Sequence, residues 1–164
     1  YKKYLKGDYI VQQGAVCKHT NFIISGCTKN FYVDQQGQEH IVTFAIENWW
    51  SADLSSFITQ TPSDFNVKCI EATEVIQFTY LNQDEIFQNI PKMETLFRKL
   101  LEKALVSSQK RIVNNFSLSA KDQYLYFKKQ YSTIEQRVPQ YMVASYLGIS
   151  KEFLSKIKTE LAKD

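Results

Sequence analysis

The first half of the chain alternates short apolar runs with glycines. Four of its glycines separate runs that are rich in Ile, Val, Phe and Tyr, namely Gly7, Gly14, Gly26 and Gly37. Because β-branched and aromatic residues between glycine turns favour strands, the pattern predicts strands over residues 9–12, 21–24, 29–33, 40–44, 67–70 and 74–79. Asp34-Gln-Gln-Gly37 predicts a hairpin turn. Short strands at this spacing indicate an antiparallel sheet that is closed or rolled.

From Asn82 onward the apolar residues recur with a helical period. Asn82, with Glu85 three residues later, predicts a capping box at the start of a short helix that ends before Pro91. No glycine or proline interrupts residues 92–115, which predicts one helix about 36 Å long at 1.5 Å per residue. Ser119-Ala-Lys-Asp122 predicts another capped helix that runs to about residue 131, and a polar connector follows over residues 132–137.

The long predicted helix has a wide apolar face. That face is broader than one neighbour needs, so we expect it to contact both its own β-domain and a symmetry-related copy. The residues expected at this dimer interface are Phe97, Leu101, Ala104, Leu105 and Ile112. The alternative is a helix buried entirely within one chain, although a small β-domain would not cover its whole length.

Residues 140–161 have the pattern of a helix-turn-helix. Apolar residues occupy the positions that pack two helices together, Val143, Leu147, Ile149, Leu154 and Ile157. Ala144 is small where the helices approach, and Gly148 suits a turn that needs a positive φ. Pro139 suits the entry to the first helix, and Ser150 is placed to cap the second. The alternative is an ordinary corner between two helices of another helical domain.

A helix-turn-helix places the start of its second helix in the major groove of DNA. We therefore predict base contacts from Lys151, Glu152, Ser155 and Lys156, since lysine can donate to guanine and glutamate can accept from cytosine. Phosphate contacts are predicted for Gln140, Tyr141, Ser150 and Lys158. Taken alone, these lysines fit a solvated helix face equally well.

Net charge is only +3, but it is unevenly distributed. Residues 1–89 hold 6 Lys and Arg against 10 Asp and Glu, whereas residues 90–116 hold 6 against 2 and residues 117–164 hold 8 against 5. A basic second half is what DNA binding there requires, although scattered surface lysines would give the same balance.

The three cysteines, Cys17, Cys27 and Cys69, are too few for a disulfide framework and lack metal-site spacing. No apolar run approaches a membrane span and no signal peptide is visible, so we expect a cytoplasmic protein without membrane contact. The first residue is Tyr1 rather than Met, which suggests that an N-terminal segment is missing.

The order of these parts resembles the catabolite-activator/fumarate-nitrate-regulator family of bacterial transcription factors. The amino-acid sequence, including the Trp49-Trp50 pair, is similar to members from the Bacteroidetes. Residues 6–14 and 21–26 are similar to two β-roll motifs of that family, and residues 150–156 to its recognition helix. The resemblance implies an α+β fold with a β-roll sensor domain (residues 1–89), a long dimerisation helix (90–116) and a helix-turn-helix domain (117–164) whose wing is cut short at Asp164.

The same resemblance implies the partners. They are double-stranded DNA, a second copy of the chain in a homodimer, RNA polymerase and a small-molecule effector that binds the β-roll. A basic helix-turn-helix, a long apolar helix and a separate β-domain fit those roles.

Two departures from the family pattern concern the signal. Members that bind cyclic nucleotides carry Gly-Glu and later Arg-Ser, whereas this chain has Ala52-Asp53 and no arginine between Leu54 and Ala72. Because Lys68 is the only cation there, the negative charge of the cAMP phosphate would be poorly compensated. We therefore do not expect cAMP to bind. The N-terminal cysteine set of the iron–sulfur members is also missing, so no cofactor is expected.

Another small molecule remains compatible with the β-roll. We predict an apolar pocket with His40 or Asp53 as the polar anchor, lined by Phe44, Trp49, Trp50, Asp53 and Phe57. Alternatively, the two tryptophans fill the core and no ligand binds.

These patterns fit three functions to different degrees. The favoured one is a dimeric regulator that binds an inverted repeat in DNA. The alternative is a ligand-binding β-roll whose helical tail mediates protein–protein contacts. The third is a small β-barrel enzyme, but His19 and His40 lack the spacing of a metal triad and no catalytic set stands out, so we expect no enzyme.

Overall fold

The N-terminal region forms two antiparallel sheets. The computed structural model describes residues 1–163, and each sheet has four strands, ordered β1-β8-β3-β6 and β2-β7-β4-β5. The strands are β1 (Lys2–Tyr4), β2 (Tyr9–Val11), β3 (His19–Ser25), β4 (Thr28–Val33), β5 (Glu39–Ala45), β6 (Trp50–Ser51), β7 (Asn66–Cys69) and β8 (Thr73–Thr79). All six predicted strands are present, and the predicted α+β fold with an antiparallel β-roll is confirmed.

Two strands and one helix in this region were not predicted. Strands β1 and β6 have only three and two residues, which is too short for an alternating pattern to show. Helix α1 (Leu54–Thr59) has one and a half turns, and Asp53 caps it by accepting a hydrogen bond from the Ser56 amide. Such short elements are held by their neighbours rather than by their own periodicity.

Glycine is required where the two sheets are joined tightly. Gly26 has φ +104°, and a Cβ at this position would lie 2.6 Å from the carbonyl oxygen of Ala72. At the predicted hairpin, Gly37 has φ +81° and its amide donates to the Asp34 carbonyl at 3.0 Å. The hairpin between β4 and β5 is therefore the one that the sequence indicated.

Helices make up the rest of the chain. They are α2 (Tyr80–Asn89), α3 (Pro91–Ser117), α4 (Ala120–Gln130), α5 (Ser132–Arg137), α6 (Gln140–Leu147) and α7 (Lys151–Leu161). The long helix α3 has 27 residues and is about 40 Å long. No helix in the described part of the chain is both long and apolar enough to span a membrane.

Two helix predictions need correction. The cap of α2 is Thr79 rather than Asn82, because Thr79 is extended and its hydroxyl accepts from the Asn82 amide at 3.2 Å. The predicted polar connector over residues 132–137 is wrong, since these residues form α5 and Ile134 is buried in the core. One buried apolar residue among polar ones gives no helical period, so the sequence did not reveal this helix.

The largest core cluster joins the β-roll to the C-terminal helices. Phe31, Ile41 and Phe44 of the β-roll belong to the same buried cluster as Phe127 of α4 and Val143 of α6. The helix-turn-helix is therefore packed on the β-roll rather than tethered to it. Asp164, the last residue of the predicted DNA-binding region, lies outside the described residues.

Candidate DNA-binding surface

The turn between α6 and α7 is built by local backbone and side-chain bonds. Gly148 has φ +70° and its amide donates to the Ser145 carbonyl at 3.2 Å, while the Ile149 amide donates to Ala144 at 3.0 Å. The Ser150 hydroxyl then accepts from the Phe153 amide at 3.1 Å and caps α7. This left-handed glycine followed by a serine cap reverses the chain tightly.

Packing fixes the angle between the two helices. Val143 and Ala144 of α6 are buried, as are Leu154 and Ile157 of α7. Leu147 and Ile149, beside the turn, are half-buried and pack against the same cluster. The small Ala144 allows the helices to approach, so the five apolar positions and the alanine predicted from sequence all serve the packing.

The side chains predicted to read bases all lie on the outer face of α7. Lys151, Glu152, Ser155 and Lys156 are exposed. Within residues 1–163, no ion pair engages Lys151 or Lys156. Their ammonium groups are therefore available to an external acceptor, and their contacts with DNA remain a prediction.

Three of the four residues predicted to contact phosphates are exposed at the starts of α6 and α7. Gln140 and Tyr141 are exposed on the first turn of α6, and Ser150 is exposed at the start of α7. Helix N-termini and hydroxyl groups at such positions suit phosphate oxygens. Their role stays a prediction.

Lys158 is placed differently from the prediction. Its ammonium donates to the Glu135 carboxylate at 3.1 Å and lies 5.8 Å from the centre of the Tyr124 ring. Leu154, Lys158 and Leu161 are spaced four and three residues apart, so they share the inner face of α7. Lys158 therefore ties α7 to α4 and α5, and we withdraw it from the phosphate contacts.

An ion-pair cluster connects the helix-turn-helix region to the β-roll. Arg137, at the end of α5, donates to Glu47 at 2.7 and 3.0 Å and to Glu71 at 2.7 and 3.1 Å. The Arg137 guanidinium holds the pKa of Glu47 at about 2, and the Glu71 and Glu47 carboxylates raise the pKa of Arg137. We call these three residues the Arg137 cluster.

A second arginine joins α3 to the other two parts. The Arg111 guanidinium donates to the Val42 carbonyl and to the Tyr146 carbonyl at 2.8 Å, and it lies 3.9 Å from the centre of the Tyr146 ring. Beside it, the Ser145 hydroxyl donates to the Glu39 carbonyl at 2.9 Å and accepts from the Ile41 amide at 3.1 Å. Because β5 is an edge strand, these side chains complete its backbone hydrogen bonds.

Neither arginine was identified from the sequence. Their partners lie between 35 and 90 positions away in the chain. Nothing local marks them, because an arginine in a helix is ordinary on composition.

The long helix leaves most of its apolar face uncovered. Within α3, Leu101, Leu105 and Ile112 are exposed, Ala104 is exposed, and Phe97 is half-buried. Phe97 packs on its own β-roll, with its ring 5.1 Å from Trp50 and 5.4 Å from Phe87. Phe97, which was predicted at the dimer interface, therefore packs within its own chain instead. The place of the other four residues in a dimer interface stays a prediction.

The predicted ligand-pocket residues do not line one cavity. Phe44 packs on Tyr146 and belongs to the cluster shared with the helices, whereas Phe57 belongs to a separate cluster within the β-roll. Trp49 contacts Tyr131, with ring centres 6.1 Å apart.

The contacts of Trp50 and His40 also argue against a single pocket. Trp50 packs on Phe22, Phe78 and Phe97, and His40 bonds to Asp34 at 2.7 Å. The two sheets and the docked helices separate these side chains, which no sequence pattern could show. The predicted pocket is therefore corrected to several distinct packing sites.

The β-roll also matches a known family. Residues 1–90 match the model of the cyclic nucleotide-binding domain family. The chain belongs to this family. No curated relative matches it at a significant level.

The whole chain shares its fold with solved regulators. FixK2 from Bradyrhizobium japonicum superposes with a TM-score of 0.85 at 11% identity, over 99% of this chain and 83% of that one. The c-di-GMP-responsive global regulator CLP of Xanthomonas campestris gives 0.80 at 15% identity, over 99% and 86%.

A transcriptional regulator of the CRP/FNR family from Thermus thermophilus gives a TM-score of 0.76 at 13% identity, over 99% of this chain and 85% of that one. The predicted resemblance to the catabolite-activator/fumarate-nitrate-regulator family is confirmed.

This cyclic nucleotide-binding domain does not suit a phosphate. Asp53 is buried, and its carboxylate accepts from the Ser56 amide at 3.2 Å and from the Ser63 hydroxyl at 2.6 Å. The start of α1 is thus occupied by the chain's own negative charge, and no arginine follows before Ala72. A phosphate there would meet a carboxylate without a compensating guanidinium, so these residues do not fit a cyclic nucleotide.

Proposed function

We propose that the chain is a homodimeric, sequence-specific DNA-binding transcription regulator. The observation that carries this proposal is the exposed first half of α7, which presents Lys151, Glu152, Ser155 and Lys156 on a helix held from behind by Leu154 and Ile157. A rigid helix with free polar side chains at its N-terminal end suits the major groove.

The charge distribution supports the same surface. Residues 117–164 hold 8 Lys and Arg against 5 Asp and Glu, while the β-roll side is acidic. Within residues 1–163, Arg137 and Lys158 form ion pairs inside the chain, whereas Lys151 and Lys156 form none. Because phosphate attraction supplies most non-specific DNA affinity, the free lysines of α7 orient the chain toward the duplex.

Dimerisation through α3 is supported by its uncovered apolar side chains. Leu105 is 60% exposed, Ile112 57% and Phe116 88%. These residues are spaced seven and four apart and so lie along one line of the helix, as in a paired-helix seam. A two-fold arrangement would place two copies of α7 about 34 Å apart, one turn of DNA, on an inverted repeat.

The β-roll is proposed to sense a small molecule other than a cyclic nucleotide. Trp50 connects the strand β6 to Phe97 of α3, so a change in the β-roll reaches the dimerisation helix through ring contacts. RNA polymerase is the expected target of the regulator, and the cytoplasm its expected location.

The test begins with selection of duplex DNA from a random pool by the purified protein. We expect an enriched inverted repeat. Lys156→Ala combined with Glu152→Ala should lower affinity for that repeat by about ten-fold or more, since each base contact contributes roughly 1–3 kcal/mol of discrimination. Lys6→Ala with Glu85→Ala removes the same charges from exposed positions among residues 1–89 and serves as the matched control.

Two results would contradict the proposal. One is a selection that enriches no sequence, and the other is a double variant of α7 that keeps the affinity and preference of the starting protein. Either result would favour the alternative, a ligand-binding β-roll whose helical tail contacts other proteins, because the exposed face of α3 suits that role as well.

A further inference from the structure

A half-exposed aromatic side chain on α7 lies outside the buried cluster of the domain. Phe153 lies in the first turn of α7, and its side chain is 48% exposed. The core of the domain is filled instead by its neighbours Leu154 and Ile157, which are buried. Within the described residues no ring contact involves Phe153, whereas Phe127, Tyr131 and Tyr146 of the same region contact one another.

The backbone at this position is fixed. The Phe153 amide donates to the Ser150 hydroxyl at 3.1 Å, and Leu154 and Ile157 anchor the same turn from inside. The ring is therefore carried at a defined place on a rigid helix rather than on a mobile segment. A rigid position is what a specific contact requires.

Around the helix, Phe153 lies beside a residue predicted to read bases. Lys156 follows three positions later, about 60° away at 100° per residue, and one turn along the axis. Phe153 thus forms the border between the buried stripe and the polar stripe of Lys156 and Glu152. A side chain at this border reaches the wall of any groove into which the polar stripe is inserted.

Major-groove edges offer one apolar group to such a ring. Among the four bases only thymine carries a methyl group there, and phenylalanine is among the side chains that contact it. We propose that Phe153 packs against the C5-methyl group of a thymine next to the base pair that Lys156 contacts. This inference rests on the proposed function, because it requires α7 to enter the major groove.

The experiment removes the methyl group alone. The repeat selected by the unmodified protein is synthesised with each thymine of one half-site replaced, one at a time, by deoxyuridine. Affinities are measured by fluorescence anisotropy at one fixed salt concentration. At one position, loss of the methyl should weaken binding about four-fold, the factor that corresponds to ~0.8 kcal/mol for one buried methyl-sized group.

Variants assign the effect to the ring. Phe153→Ala should bind the thymine and deoxyuridine forms of that position equally, while Phe153→Leu should keep part of the difference. Tyr141→Ala is the matched control, since Tyr141 is also an exposed aromatic residue of this domain. It should weaken both DNA forms and leave their ratio unchanged.

The outcomes separate the inference from the function. If a repeat is selected but every thymine tolerates deoxyuridine, or if Phe153→Ala keeps the four-fold ratio, the inference is wrong and the regulator assignment stands. If no repeat is selected, the result contradicts the proposed function, and the inference about Phe153 is then wrong as well.

Discussion

Removing the Arg137 guanidinium should destabilise the folded chain measurably. In Arg137→Ala, Glu47 and Glu71 lose all four hydrogen bonds that hold α5 to the β-roll. The Arg137 side chain is 22% exposed and each of the two glutamate side chains 35%, so the cluster is neither fully buried nor fully exposed. Breaking a buried pair costs about 3–5 kcal/mol and an exposed pair about 0–1 kcal/mol, which places this loss at about 2–3 kcal/mol.

The pKa of Glu47 expresses the same contact as a free energy. Its value of about 2, against 4.5 for the free group, corresponds to about 3 kcal/mol at 1.36 kcal/mol per pKa unit. Because the Glu47 side chain is a third exposed, solvent screening lowers this figure to about 2 kcal/mol.

The sign of the pH dependence follows from the depressed pKa. A carboxylate whose pKa falls on folding contributes stability that is present above its unfolded pKa and is lost as the pH falls through the folded value. The contribution of Glu47 is therefore complete above pH 4.5 and disappears toward about pH 2. The stability difference between the starting protein and Arg137→Ala should shrink over that range.

Thermal unfolding followed by circular dichroism measures these effects. At pH 7 we expect a fall in Tm of about 5–10 °C for Arg137→Ala, since 1 kcal/mol shifts a chain of this size by about 2–4 °C. Arg137→Lys should recover less than half, because an ammonium cannot form the paired bonds.

Arg98→Ala is the control, since Arg98 pairs with Glu102 on an exposed helix face and its loss should cost less than about 0.5 kcal/mol. Equal losses for the two arginines, or a difference that stays constant from pH 5 to pH 2, would refute the reasoning.

Two further predictions concern the dimer and the sheet junction. Leu105→Glu should convert the dimer to monomer in native mass spectrometry, whereas Lys103→Glu, nearly opposite on α3, should leave it intact; a dimer in both would contradict the α3 interface. Gly26→Ala should cost about 2–4 kcal/mol in denaturant unfolding, because its Cβ would lie 2.6 Å from the Ala72 carbonyl. Gly148 also has a positive φ, but an added Cβ there would have no atom within 4 Å, so Gly148→Ala should cost only about 1 kcal/mol. Equal losses of stability in the two variants would exclude the clash with the Ala72 carbonyl as the cause.

Local patterns were sufficient for the elements that carry their own signal. The turn glycine Gly148, the caps Ser119 and Ser150, and the apolar spacing of α7 all lie within a few residues of the structure they determine. The cap of α2 was misplaced by three residues because Thr79 ends a strand, and the strand pattern concealed its role as a cap.

The predicted ligand pocket differs from the structure for another reason. Phe44 and Phe57 are both apolar and both close in sequence to Trp50, but they belong to different clusters. Proximity along the chain says little about which face of a rolled sheet a side chain occupies. That face depends on bulges and strand order, such as the register shift between Asn30 and Phe31.

The sequence by itself determined the β-roll, the long helix and the helix-turn-helix, because periodicity and capping act within one element. It also determined that Asp53 replaces the expected glutamate and that no arginine follows it. Only the tertiary structure decided that the helix-turn-helix is docked on the β-roll through Arg111 and Arg137, and that Lys158 faces inward. Those contacts join residues far apart in the chain, and charge pairs of that range leave no periodic trace in the sequence.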